Sequence, residues 1–149
     1  VAETNETKRN AAIKAGADAV INPAEKDASR NLSKRLGGGF PVVIDFVGSE
    51  ETVKFGFDSL RASGQLIIVG LYGGSIKLST PIFPLKNITV SGSYVGSLSE
   101  MTELMALVKS NSIMPMPIIE RPLNYINDAL ADLARGDVIG RMVLKPGMR

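Results

Sequence analysis

Two apolar runs rich in β-branched residues, Val42 to Val47 and Gln65 to Leu71, most constrain how this chain can fold. A near-continuous apolar run of this length reads as a strand covered on both faces, and such strands belong to parallel sheets. The first run stops at Gly48. Ser49 then caps a helix whose first turn holds Glu50 and Glu51, where negative charge suits the helix dipole, and whose Val53, Phe57 and Leu60 face one way. Gly64 turns the chain into the second run. Strand, helix and strand with short connections read as a right-handed βαβ crossover.

The same texture extends on both sides. Thr4 and Asn5 are caps for a helix over 6–15 that stops at Gly16, and Ala19-Val20-Ile21 reads as a short strand closed by Asn22-Pro23. Ala28, Leu32 and Leu36 mark a helix ended by Gly37-Gly38-Gly39, and Ile88 to Val95 alternates as the last strand of the sheet. Beyond Gly96, Ser97 and Glu100 form a capping box. Met101, Leu104, Met105 and Val108 make the stripe of an amphipathic helix ending near Asn111. An extended, proline-bearing segment follows from Met114, then a helix from Asn124 with Ile126, Leu130 and Leu133 on one face, then a short strand from Arg141 to Leu144 and a frayed tail over 145–149.

Composition limits the chemistry. The chain has no histidine and no cysteine among its 149 residues, so disulfides, thiol nucleophiles, imidazole bases and the usual zinc ligand sets are excluded. Its 17 basic and 15 acidic residues are interspersed, which predicts no nucleic-acid partner and no membrane patch. No apolar run approaches the roughly 18 residues that a membrane span requires. The reading is a soluble, cytoplasmic protein, and a start at Val1, in mid-pattern, reads as a piece of something longer.

Open parallel sheets bind ligands at the carboxyl ends of their strands, so the residues just after each strand are the candidates. Glu3, Gly48, Gly70, Gly92 and Gly96 stand there. Glycine at such a point either lets a flat ligand approach the backbone or simply ends a strand. The G-x-G-x-x-G fingerprint is absent. Asp45, inside an apolar strand, needs partners, and a structural bond to a neighbouring loop is the stronger reading than an active-site role. Tyr72, Tyr94 and the methionines 101, 105, 114 and 116 read first as packing residues.

These segments carry a resemblance. Val1-Ala2-Glu3 with Lys8, then GADAVINP, VIDFVGS, GQLIIVGLYGG, SGSYVGS and IGRMVLKP, in this order, resemble the medium-chain dehydrogenase/reductase family, and within it the zinc-dependent alcohol dehydrogenases. The likeness runs the length of the chain and corresponds to the carboxyl-terminal part of such an enzyme. It implies an α/β fold: a Rossmann-like parallel sheet lacking its first strand, with helices on both faces and a short carboxyl-terminal extension. Residues 1–113 would form a partial dinucleotide-binding domain, and 114–149 would return to a catalytic domain that is missing here.

The resemblance also implies roles. Glu3 matches the acid that bonds the adenosine ribose hydroxyls and repels a 2′-phosphate, which favours NAD, and Lys8 matches a basic residue at the same ribose. Phe46, Val47 and Gly48 match the strand end bordering adenosine and the nicotinamide ribose; Val69, Gly70 and Leu71 match the turn beside the nicotinamide. Ser93 and Val95 fall where backbone groups hold the carboxamide, and Arg141 matches a pyrophosphate contact. No catalytic residue is assigned. Zinc would belong to the parent enzyme only, bound by Cys and His outside this chain. The strand from Ile88 to Val95 resembles the edge through which family dimers pair, implying a homo-oligomer. The function implied is hydride transfer from an alcohol to NAD, with this chain alone inactive. The alternatives are an NADPH-dependent quinone-reductase-like member and a non-enzymatic dimeric assembly module.

Overall fold

Ser49 decides where the central helix begins. Its hydroxyl accepts the Thr52 amide at 3.2 Å while the Thr52 hydroxyl accepts the Ser49 amide at 3.1 Å, a reciprocal cap that starts helix α3 (Glu50–Asp58). Along α3 the buried positions are Val53, Gly56 and Phe57, one face at helical spacing. A Cβ at Gly56 would stand 3.1 Å from side-chain atoms of both Leu66 and Val43, so the missing side chain lets the helix lie close on the strands.

The computed structural model describes residues 1–110 and 113–147. Its first unit comprises Val1–Arg9 and Ala19–Gly96, its second Asn10–Asp18 and the chain from Ser97 onward. Helix α1 (Glu6–Lys14) contributes residues to both.

In the first unit, helix α2 (Ala28–Arg35) precedes β1 (Phe40–Asp45), and after α3 come β2 (Leu60–Ile68), the short helix α4 (Ile82–Lys86) and β3 (Thr89–Gly92). The three strands form a parallel sheet in the order β1-β2-β3, with Val43 opposite Leu66 and Leu66 opposite Val90. This is the parallel α/β architecture that the residue pattern implies. Val53, Phe57, Leu60, Leu66 and Ile88 make the buried core, and Phe83 of α4 closes over it with its ring 5.6 Å from that of Phe57. Ala2 and Ile21 meet in a single parallel bridge, so the expected strand over 19–21 is one rung long.

The structure corrects the reading in four places. First, β1 is not covered on both faces: Val42 and Ile44, pointing away from α3, are 47% and 50% exposed. Second, Leu60 opens β2 instead of closing α3. The pairing slips between Phe40 opposite Leu60 and Val42 opposite Gln65, with Ser63 at φ 56°, so Gly64 sits inside a bulge and not at a turn. Third, β3 is shorter than the apolar alternation suggests; Val95 adopts φ 50°, which no extended strand tolerates.

The fourth concerns the second unit. Helix α5 (Leu98–Lys109) has the expected Ser97–Glu100 capping box, and its projected end near Asn111 lies outside the described residues. Strand β4 (Ile118–Pro122), helix α6 (Ile126–Arg135) and strand β5 (Arg141–Lys145) follow. Strands β4 and β5 pair parallel, from Ile118 opposite Arg141 to Pro122 opposite Lys145, so the two segments find each other. Arg121 of β4 reaches Asp132 of α6 at 2.7 Å, and Arg135 also pairs with Asp132. The stripes Met101, Leu104, Met105 and Val108 on α5 and Ile126, Leu130 and Leu133 on α6 are nevertheless exposed, with Ala129 the buried residue of α6. A two-stranded ladder offers too little surface to cover them. Of the tail, Lys145 is paired in β5, and 148–149 lie outside the described residues. Among the described residues no helix is long and apolar enough to cross a membrane.

The one-sided core makes a contrast between neighbouring strand residues. Leu66→Ala should lower the unfolding free energy by about 2–5 kcal/mol, and Val42→Ala by less than about 1 kcal/mol, in urea denaturation of the chain. Equal losses would mean that the outer face of β1 is covered.

Candidate functional site

Strands β1 and β2 end side by side, and their backbones stay in contact beyond the last ladder rung. The Val69 and Gly70 amides both donate to the Asp45 carbonyl, at 2.8 and 3.0 Å, the Tyr72 amide donates to the Val47 carbonyl at 3.0 Å, and the Gly73 amide to the Gly48 carbonyl at 3.2 Å. A side chain at Gly48, which has φ 75°, would strike the Gly70 carbonyl; one at Gly70 would strike the Val47 carbonyl group. Chain-to-chain contact is therefore what requires glycine at both positions. Gly92, at the end of β3, meets only Ile68 O at 3.9 Å and has no such requirement.

Asp45 organises the junction. Its side chain is buried, with Oδ1 accepting the Val47 amide at 2.8 Å and the Gly48 amide at 3.1 Å, and Oδ2 accepting the Thr52 hydroxyl at 2.8 Å. This is the structural bond to a neighbouring loop that its apolar setting demands. Thr52 was not legible as a partner. Its one signal is the spacing Ser49-x-x-Thr52, which reads as a cap and gives no hint of a third bond back to the strand.

The side chains flanking this junction are pushed outward. Phe46 is 74% exposed and Leu71 79%, and Val47, Tyr72, Tyr94 and Val95 are exposed as well. Ser93 prolongs the β3 pairing through its amide, 2.9 Å from Ile68 O. So Phe46, Val47, Gly48, Val69, Gly70, Leu71 and Ser93 share the carboxyl edge of one sheet, with Val95 two residues past it. The edge is an apolar shelf with carbonyl groups among its polar atoms. Its amide donors are largely spent: those of Val47, Gly48, Ser49, Thr52 and Val53 all bond within the loop and first helical turn. Glu51 adds negative charge there, and its carboxyl is held below the usual range by its own backbone N–H and by the Ser49 hydroxyl 2.9 Å away. The N-terminus of α3 is thus poorly suited to an anion.

Glu3 and Lys8 lie in the same unit at the amino-terminal turn. The Glu3 amide donates to Ile21 O at 3.0 Å, and its Oε1 accepts the Asn5 amide at 2.8 Å and the Thr4 hydroxyl at 3.3 Å. Asn5 Oδ1 in turn accepts the Lys8 amide at 3.1 Å, which caps α1. Arg141 opens β5 in the second unit, where its amide donates to Pro117 O at 2.8 Å and its side chain is exposed. Among the described residues no group of three His, Cys, Asp or Glu is placed to hold a metal ion.

A model of the family described as zinc-binding dehydrogenase matches residues 1–110. The chain belongs to this family. It is 32% identical over 145 residues to an NAD-dependent alcohol dehydrogenase of Sulfurisphaera tokodaii, a match covering 97% of this chain and 42% of that protein. It is 36% identical over 139 residues to a D-arabinose 1-dehydrogenase (NADP(+)) of Saccharolobus solfataricus, covering 93% and 39%. Among solved structures, the alcohol dehydrogenase of Aeropyrum pernix superposes with a TM-score of 0.87 at 35% identity, covering 97% of this chain and 42% of that one. The chain thus spans about two fifths of the length of the curated relatives it matches.

The junction yields a glycine contrast. Gly70→Ala should destabilise the chain by about 2–3 kcal/mol through overpacking, while Gly92→Ala stays within about 1 kcal/mol, both read by thermal or urea unfolding.

Proposed function

We propose that this chain is the dinucleotide-binding part of an NAD-dependent alcohol dehydrogenase of the zinc type. The observation that carries the reading is the apolar shelf at the carboxyl edge of a parallel sheet, where strand ends Phe46-Val47-Gly48 and Val69-Gly70-Leu71 lie against each other. Flat rings suit such a surface. NAD, when bound, supplies the hydride acceptor.

The residues present fit the nucleoside portions of that cofactor. Phe46, Val47 and Leu71 offer apolar contact to a ring, Ser93 and Val95 offer backbone groups to a carboxamide, and Glu3 offers a carboxylate to ribose hydroxyls. The Oε1 of Glu3 already accepts two bonds, which leaves Oε2 for a ribose. Lys8 would add a cation at the same ribose. The α3 N-terminus does not fit a pyrophosphate. Catalytic zinc does not fit this chain, which has neither His nor Cys, so its ligands would come from a further domain to which residues 114–149 return. In this scheme the chain binds and orients, residues 1–113 form the cofactor domain, and the chain by itself neither turns over alcohol nor holds the dinucleotide tightly. The parent would act in the cytoplasm.

Coenzyme preference is the point at which a second reading enters, because one relative is named for NADP(+). A carboxylate at Glu3 repels a 2′-phosphate and favours NAD. Titration of the chain followed by NMR should show NAD binding weaker than micromolar, with NADP weaker still, and Glu3→Ser should erase about tenfold of that discrimination. Micromolar NAD affinity, or a preference for NADP by the unaltered chain, would overturn the assignment.

The edge strand β3 supports a second element of the proposal, a homo-oligomer formed through the segment Ile88 to Val95. Among the described residues strand β3 is paired on one side only, with β2. An unpaired edge is a liability that a two-fold partner removes. Sedimentation equilibrium should reveal a concentration-dependent dimer that is lost when Val90 is replaced by proline; a monomer at all concentrations refutes it.

A further inference from the structure

We infer that Asp45 is a positioning residue for the shelf: by bonding the Val47 and Gly48 amides to one carboxylate oxygen and the Thr52 hydroxyl to the other, it sets the backbone that turns Phe46 and Val47 outward. What the shelf receives rests on the cofactor reading above. That Asp45 sets the loop does not.

Asp45 is only 6% exposed, and among the described residues no ion pair reaches it. A buried carboxylate without a cation is unfavourable unless its oxygens are satisfied by donors. Here three donors meet it at 2.8–3.1 Å, two from the loop and one from α3. An aliphatic residue would suit the core as well, yet it would leave the Val47 and Gly48 amides without these acceptors. The carboxylate is therefore matched to the loop more than to the core.

The geometry has a consequence for what can bind. With the amides of Val47 and Gly48 turned inward to Asp45 and that of Ser49 bonded to Thr52, the loop shows a ligand its side chains and not its donors. The same bonds hold residue 47 where its carbonyl receives the Tyr72 amide, so the β2 loop is positioned through the β1 loop. Release of the carboxylate would free two amides and loosen Phe46 at once.

The test compares Asp45→Asn, Asp45→Ala and Thr52→Val in the whole 149-residue chain, using amide exchange by NMR and NAD as the probe. An asparagine keeps an acceptor oxygen for both amides and can donate to the Thr52 hydroxyl, so protection at Val47 and Gly48 should be retained. Alanine should speed exchange at those two amides about tenfold or more while leaving Leu66 to Ile68 unchanged. NAD-induced shifts at 46–48 should shrink in the alanine variant and persist in the asparagine variant. Exchange that is unchanged in Asp45→Ala, or that rises evenly across the sheet, overturns the inference; so do NAD shifts equal to those of the unaltered chain. If the unaltered chain shows no NAD shifts, the cofactor reading fails, and the exchange pattern alone decides whether Asp45 sets the loop. Should Asp45→Ala not fold, Thr52→Val decides, with faster exchange expected at Val47, Gly48 and Ser49, and unchanged exchange there counting against it.

Discussion

The contact between the backbones at Gly48 and Gly70 sets much of the rest of the first unit. Parallel strands commonly diverge once their ladder ends, because the connections that follow lead to different crossovers. Here four amide bonds, from Val69, Gly70, Tyr72 and Gly73 to the carbonyls of Asp45, Val47 and Gly48, keep the two chains together past the last rung. Such an approach leaves no room for a Cβ on either side. It also leaves no room for neighbouring side chains between the loops, which is why Phe46, Leu71 and Tyr72 stand in solvent. The exposed apolar edge is thus a product of backbone packing.

A second consequence follows from how the core is distributed. All five residues of the buried cluster lie between the sheet and the α3 and α4 side, while Val42 and Ile44 on the other face remain half open. In the second unit the stripes of α5 and α6 are also open. Helices of 12 and 10 residues are marginal on their own, so caps and ion pairs carry more of their local order than burial does. The Ser97–Glu100 box, with Glu100 held below the usual carboxylate range by the Ser97 amide and hydroxyl, serves α5. A depressed carboxyl of this kind stabilises the folded state above its unfolded pKa, and that contribution fades as pH falls through the folded value. For α6 the equivalent is Asp132 between Arg121 and Arg135.

How much of this was legible in the sequence depends on whether the signal was local. The cap at Ser49, the box at Ser97 and Glu100, the stop at Gly16, and the parallel order of the sheet all follow from short-range patterns, and each is present. Asp45 declared itself by being polar in an apolar strand, though its partners did not. What failed was everything that depends on a neighbour's surface. The run Val42 to Val47 is apolar enough for a strand covered twice, but coverage is decided by what packs there and not by the strand. The same holds for the stripes on α5 and α6. The bulge at Ser63 and Gly64 escaped for another reason, since glycine marks a turn and a bulge equally well. For the candidate site, the sequence located the strand ends, but the reason for their glycines is a contact 22 residues apart, visible only once the chain is folded.

The lack of histidine and cysteine takes its meaning from this arrangement. Among the described residues, the side chains turned outward at this sheet edge are mainly aromatic and aliphatic, and its loop amides are largely bonded within the loops themselves. On the proposed reading the edge would serve one part of a dehydrogenase's task, because hydride transfer depends steeply on how the acceptor ring is held and on keeping water away from it. Both are tasks for a stiff apolar surface. On the proposed reading, charge at an alcohol oxygen would be managed by groups outside this chain, which has no histidine and no cysteine. Asp45, with one carboxylate oxygen on the Val47 and Gly48 amides and the other on the Thr52 hydroxyl, has both oxygens engaged in fixing that edge.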